Sequence, residues 1–101
     1  MNSIRVVKVA PKLPPEVVLV ENQLDALQAL VGGNIEAVPL EGGLTLVCNE
    51  EGKLLDLPAN TIIPEIGDWV AGTFFVTKTT DDGEFASLTD GQVKRVVARF
   101  R

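Results

Sequence analysis

The sequence predicts an α+β fold: a mainly antiparallel sheet with hairpins, and two amphipathic helices packed on it. Three observations lead there. Short runs of Val, Ile, Leu and Phe are separated by Gly, Pro and Asn at hairpin spacing. Two segments carry apolar residues at helical spacing instead, one opening at Leu24 and one at Val93. The chain has 101 residues, 46% of them apolar, enough for one modest core, so residues 1–101 read as a single domain.

The elements follow in order. Ile4, Val6, Val7 and Val9 make a first strand, ended by Pro11, and residues 12–15 form a turn. Residues 16–20 make a second strand. Asn22 reads as the N-cap of the first helix, because its side-chain oxygen can accept an orphan backbone N–H. Leu24, Leu27, Leu30 and Val31 face inward, with Gln23, Asp25 and Gln28 outward. Gly32-Gly33 stops the helix, since the closing left-handed residue favours the absence of a Cβ. Residues 35–40, the link Glu41-Gly42-Gly43 and residues 44–48 read as a hairpin; Pro39 offers no N–H, which puts its strand at an edge.

The second half is less regular. Residues 49–53 suit a type I turn with Gly52 left-handed, and residues 53–57 then read as the return strand. Residues 57–60 break it, and Ile62, Ile63 and Ile66 fall in an irregular crossing. Residues 68–77 are apolar on both alternating faces and read as one central strand, bulged at Gly72. Thr80-Asp81-Asp82-Gly83 is a turn, and residues 84–88 pair back. Thr89 and Gln92 have the spacing of a capping box, and Val93, Val96, Val97 and Phe100 form one face of the closing helix.

The composition excludes much chemistry. With no histidine and a single cysteine, Cys48, neither a Ser-His-Asp or Cys-His arrangement nor a Cys/His zinc site can be built. Cys48 lies mid-strand among apolar residues and reads as inert core. Carboxylates, 14 in all, remain for catalysis, but so short a chain leaves little room for a deep cleft. No apolar run approaches the roughly 20 residues that span a bilayer, and residues 1–5 lack the pattern of a secretory leader.

Charge is distributed unevenly around a net −5: residues 13–52 hold seven acids and no base, and residues 93–101 hold Lys94, Arg95, Arg99 and Arg101 and no acid. An acidic chain repels nucleic acid on average, and four terminal bases are explained by the dipole of the closing helix.

Each candidate motif has a plain structural reading. Gly32-Gly33-Asn34 follows a helix, whereas phosphate cradles precede one. Asp81-Asp82-Gly83-Glu84 lacks the oxygen count of a calcium loop, so no metal or other cofactor is expected. The candidate ligand- or partner-binding residues are Asn49, Glu50 and Lys53 at the turn after the hairpin, and Asn60, expected beside the Gly72-Thr73 strand where it lines a shallow pocket with Thr73. The turn itself demands neither Glu50 nor Lys53, leaving those side chains free for a partner.

Several stretches resemble a known family. Asn22-Gln23-Leu24-Asp25-Ala26-Leu27-Gln28 and Val31-Gly32-Gly33-Asn34-Ile35-Glu36 resemble its front half. Val47-Cys48-Asn49-Glu50-Glu51-Gly52-Lys53-Leu54 and Leu57-Pro58-Ala59-Asn60 resemble its middle, and Val70-Ala71-Gly72-Thr73-Phe74-Phe75-Val76 with Ser87-Leu88-Thr89 its end. The family is domain of unknown function 3846. One departure is Asn34, where its pattern leads us to expect an aromatic residue. The resemblance implies a phage or mobile-element origin and the cytoplasm of a bacterial host, and supplies no catalytic residues.

The expected function is therefore a small, non-catalytic accessory binding protein of a mobile element. It would act in counter-defence, by occupying a host protein or sequestering a small signalling molecule. The alternatives are an acidic mimic of nucleic acid, which needs Glu36 and Glu41 in regular rows with the helix acids, and last a carboxylate-based enzyme. Homo-oligomerisation through the acidic middle and basic end fits each of these.

Overall fold

The computed structural model describes residues 2–101. Its main sheet is built from β1 (Ser3–Val9), β2 (Glu16–Glu21), β3 (Ile35–Pro39), β4 (Leu44–Asn49) and β7 (Phe74–Thr79), in the order β2-β1-β7-β4-β3. All neighbours are antiparallel. The short β8 (Phe85–Ala86) pairs with the far end of β7. β5 (Ala59–Ile63) and β6 (Asp68–Ala71) form a separate two-stranded ribbon.

Side-chain alternation divides the core between the two faces of the main sheet. On one face Ile4, Val6, Val47 and Phe75 pack under α1 (Leu24–Val31), which contributes Leu27 and Val31. On the other, Val7, Val9, Leu46, Phe74 and Val76 meet α2 (Asp90–Phe100) through Val96, and meet the ribbon through Ile63 and Val70. β7 has apolar neighbours on both faces and lies at the sheet centre, as its unbroken apolar run predicts. The edge position of β3 agrees with Pro39, and the capping box forms: the Gln92 backbone N–H donates to Thr89 Oγ1, and the Thr89 N–H to Gln92 Oε1.

Five expectations are corrected. The predicted long strand 68–77 is two strands in two sheets. Gly72, at φ +83°, turns the chain from the ribbon into the main sheet. Ile62 and Ile63 belong to a regular strand, β5, rather than an irregular crossing. No return strand forms over residues 53–57, because β3 and β7 already occupy both edges of β4. That segment instead coils on itself, with Leu55 N–H donating to Glu51 O and Leu57 N–H to Gly52 O. Gly52 is accordingly not left-handed; a Cβ there would meet the Ala71 carbonyl oxygen at 2.7 Å, so it is the close approach of loop to β6 that requires glycine. Finally, the N-cap of α1 is Gln23, and Asn22 donates through Nδ2 to Phe85 O, tying the helix start to β8.

Ion pairs fasten α2 at both ends. Arg5 reaches from β1 to Asp90 (2.8 Å) and donates to the Leu88 carbonyl. Arg99 makes a two-pronged contact with Glu65, Nη1 to Oε2 at 2.7 Å and Nη2 to Oε1 at 2.6 Å. The guanidinium holds the Glu65 carboxyl down at about 2, from an ordinary 4.5. Because the folded value lies below the unfolded one, this stabilisation is complete above about pH 4.5 and is lost as pH falls towards 2. With solvent screening at this partly exposed site, Glu65→Gln is expected to cost ~1–2 kcal/mol at neutral pH. It should also flatten the acid limb of the stability curve, measured by urea unfolding across that window. An acid limb identical to that of the unsubstituted chain would show that the pair contributes nothing.

Candidate functional site

A cleft of about 310 Å³ opens where the end of β4, the coiled segment after it and β6 converge. Glu36 of β3, Glu50, Glu51, Lys53 and Leu54 of the segment, and Ile66, Asp68 and Trp69 at the ribbon line it. The ribbon explains the presentation of Trp69. Ile62 and Trp69 are directly opposed in the β5–β6 register, so they share a face; their chain neighbours Ile63 and Val70 face the core. The outer face therefore carries a tryptophan 40% exposed beside an isoleucine 72% exposed. Exposed Leu54 and Ile66 extend the apolar surface.

Charge is organised around that aromatic. Lys53 Nζ lies 2.6 Å from Asp68 Oδ2 and 4.7 Å from the centre of the Trp69 ring. Asp68 Oδ1 is occupied, accepting from the Trp69 backbone N–H at 2.8 Å. Lys53, with the Trp69 backbone, holds the Asp68 carboxyl below its ordinary range. The other three carboxylates of the cleft, Glu36, Glu50 and Glu51, make no ion pair among the described residues. Cys48, at the cleft floor, is pushed up to about 11 by burial and by the Glu36 carboxylate, so it stays a thiol at neutral pH and is a poor nucleophile.

The five residues predicted from sequence do not form one site. Glu50 and Lys53 line this cleft with their side chains. Asn49 borders it but is buried and engaged: Nδ2 donates to Val31 O, and Oδ1 accepts from the Glu51 N–H. It ties α1 to the coiled segment. Asn60 faces a different hollow, and its Nδ2 donates to both Val9 O and Gly72 O at 2.9 Å. Thr73 lies in a third, between Pro11, Leu30 and Pro58. Trp69, Asp68, Ile62 and Glu36 were missed. The signal was present at Asp68-Trp69, where a charged residue opens a run otherwise suited to complete burial.

The acids that mimicry would need in rows are dispersed. Glu36 lies in the Trp69 cleft, Glu41 in the hollow beside Arg99, and Glu16 and Glu21 on β2 at the opposite sheet edge. Of the carboxyl-terminal bases, Arg99 is consumed by Glu65. Among the described residues no group of three or more His, Cys, Asp or Glu side chains is placed to hold a metal ion, and no helix is long and apolar enough to cross a membrane.

The chain belongs to the family described as domain of unknown function (DUF3846), whose model matches residues 4–101. No curated protein and no solved structure matches it.

Proposed function

We propose that this DUF3846 member is a non-catalytic binding module that docks a protein segment bearing apolar and basic side chains. In the mobile-element setting that the family resemblance implies, the partner is a host protein. The observation that carries the reading is outward Trp69, which stands beside Ile62 on the ribbon and lines a cleft with four carboxylates. Tryptophan is enriched at the buried centres of protein interfaces, where a large rigid side chain contributes area at little conformational cost. An apolar patch whose rim is net negative, here four carboxylates against the one Lys53 ammonium, selects a basic partner and speeds its encounter. The one cysteine of the cleft is a protonated thiol, which favours binding over catalysis.

Trp69 is the only tryptophan and there is no tyrosine, so intrinsic fluorescence reports on this surface alone. A peptide alternating Leu and Lys is expected to shift that emission saturably, and its Leu/Glu counterpart to leave it unchanged. Ile62→Asp should abolish the response while leaving the melt intact. Binding should weaken in about 1 M salt, where the Debye length is about 3 Å. No saturable response to the basic peptide, or an undiminished response in Ile62→Asp, would refute the reading.

A further inference from the structure

We propose that Asp68 and Trp69 form a receptor for an alkylammonium group and that Lys53 is its internal occupant, displaced when a lysine of the partner protein enters. This rests on the docking reading above and adds the identity of the anchoring side chain and a built-in competitor.

The stereochemistry of the receptor is shown by what it already holds. The Lys53 ammonium meets a carboxylate oxygen at 2.6 Å and an aromatic face at 4.7 Å, the two contacts that recognise a desolvated alkylammonium. The receptor is held in place by its own backbone: Asp68 Oδ1 accepts from the Trp69 N–H, and Oδ2 faces the ammonium. A compact ammonium needs only that one oxygen.

The occupant is replaceable. Both members of the pair are about half exposed, so exchange is not obstructed by packing. The fold of the coiled segment rests on Asn49 and on backbone bonds at Gly52, Leu55 and Leu57, none of which uses the Lys53 side chain. Charge favours a second cation, because the cleft carries Glu36, Glu50, Glu51 and Asp68 against one ammonium. An internal competitor lowers apparent affinity by the fraction of time the site is closed. An exposed ion pair supported by a cation–π contact holds its site closed most, but not all, of the time.

Lys53→Met keeps the stem and removes the ammonium. It is expected to bind the Leu/Lys peptide about five- to tenfold more tightly than the unsubstituted chain, read by Trp69 emission. The same peptide with acetylated lysines should show no such gain. Asp68→Asn added to Lys53→Met should erase it. Circular dichroism of each variant establishes that it is folded. Equal or weaker binding by Lys53→Met, or an equal gain for the acetylated peptide, would overturn the proposal. If the unsubstituted chain binds and Ile62→Asp does not, while Lys53→Met changes nothing, the docking surface stands and the internal occupant falls. If no protein binds any peptide, the docking reading fails first. Free butylammonium binding Lys53→Met as tightly as the peptide does would overturn the assignment to a protein partner.

Discussion

Phe74→Ala is expected to remove about 3–5 kcal/mol of stability, close to half of what a chain of this length ordinarily possesses. Phe74 is fully buried, lies opposite Val9 in the sheet, and meets the Phe100 ring edge-on at 5.2 Å. It also shares a core with Ile63 and Val70, the inward residues of the ribbon. Truncation leaves a cavity under both α2 and the ribbon, which neither can fill without breaking its own pairing. Urea unfolding should show a lower midpoint with an unchanged slope. Amide exchange should accelerate first in β5 and β6, which form a separate two-stranded ladder resting on this core. A cost under about 1 kcal/mol would mean that the ribbon does not rest on Phe74.

The parts of this fold that were legible in the sequence are those decided by neighbours along the chain. The β3–β4 hairpin follows from Glu41-Gly42-Gly43, where both glycines take positive φ. The start of α2 follows from Thr89 and Gln92, and the stop of α1 from left-handed Gly32. The errors arose where a distant strand decides. Residues 49–53 have good turn chemistry, but a hairpin needs a free edge, and β7, which begins only at Phe74, has taken it. Gly72 offers the same local signal for a bulge as for a change of sheet; the choice between them depends on where β5 lies. β5 itself was obscured by Pro58 and Pro64, which bound it and read as breakers.

The candidate site divides the same way. That Glu50 and Lys53 are free of turn duties was readable, and both line the cleft. Their most informative neighbours were not, because reading residues 62–66 as an irregular crossing hid the ribbon register that brings Ile62 beside Trp69. Asparagine is the hardest type to read. Its amide serves ligand and backbone with the same atoms, and only the folded partners tell which. Asn49 and Asn60 both turned out to hold backbone carbonyls.

Asn60→Asp is therefore expected to be more harmful than Asn60→Ala, the reverse of what a ligand-binding surface amide would show. The Asn60 amide donates both its hydrogens, one to Val9 O and one to Gly72 O, and so fastens β1 to the junction where the ribbon enters the main sheet. Alanine leaves two partly buried carbonyls without that donor, at a cost of about 1–3 kcal/mol. A carboxylate cannot donate and sets negative oxygens against two carbonyl dipoles, so the aspartate variant should lose ~1 kcal/mol more at neutral pH. Its pH dependence gives the sign. The introduced carboxyl is less stable charged when folded than when unfolded, so its folded pKa is raised. Its protonated form restores one donor, and the deficit relative to the unsubstituted chain should shrink below about pH 4 and grow as pH rises. Thermal melts of the three proteins at two pH values suffice. An aspartate variant as stable as the unsubstituted chain at neutral pH would show that the Asn60 amide is free, and would return it to the candidate binding residues.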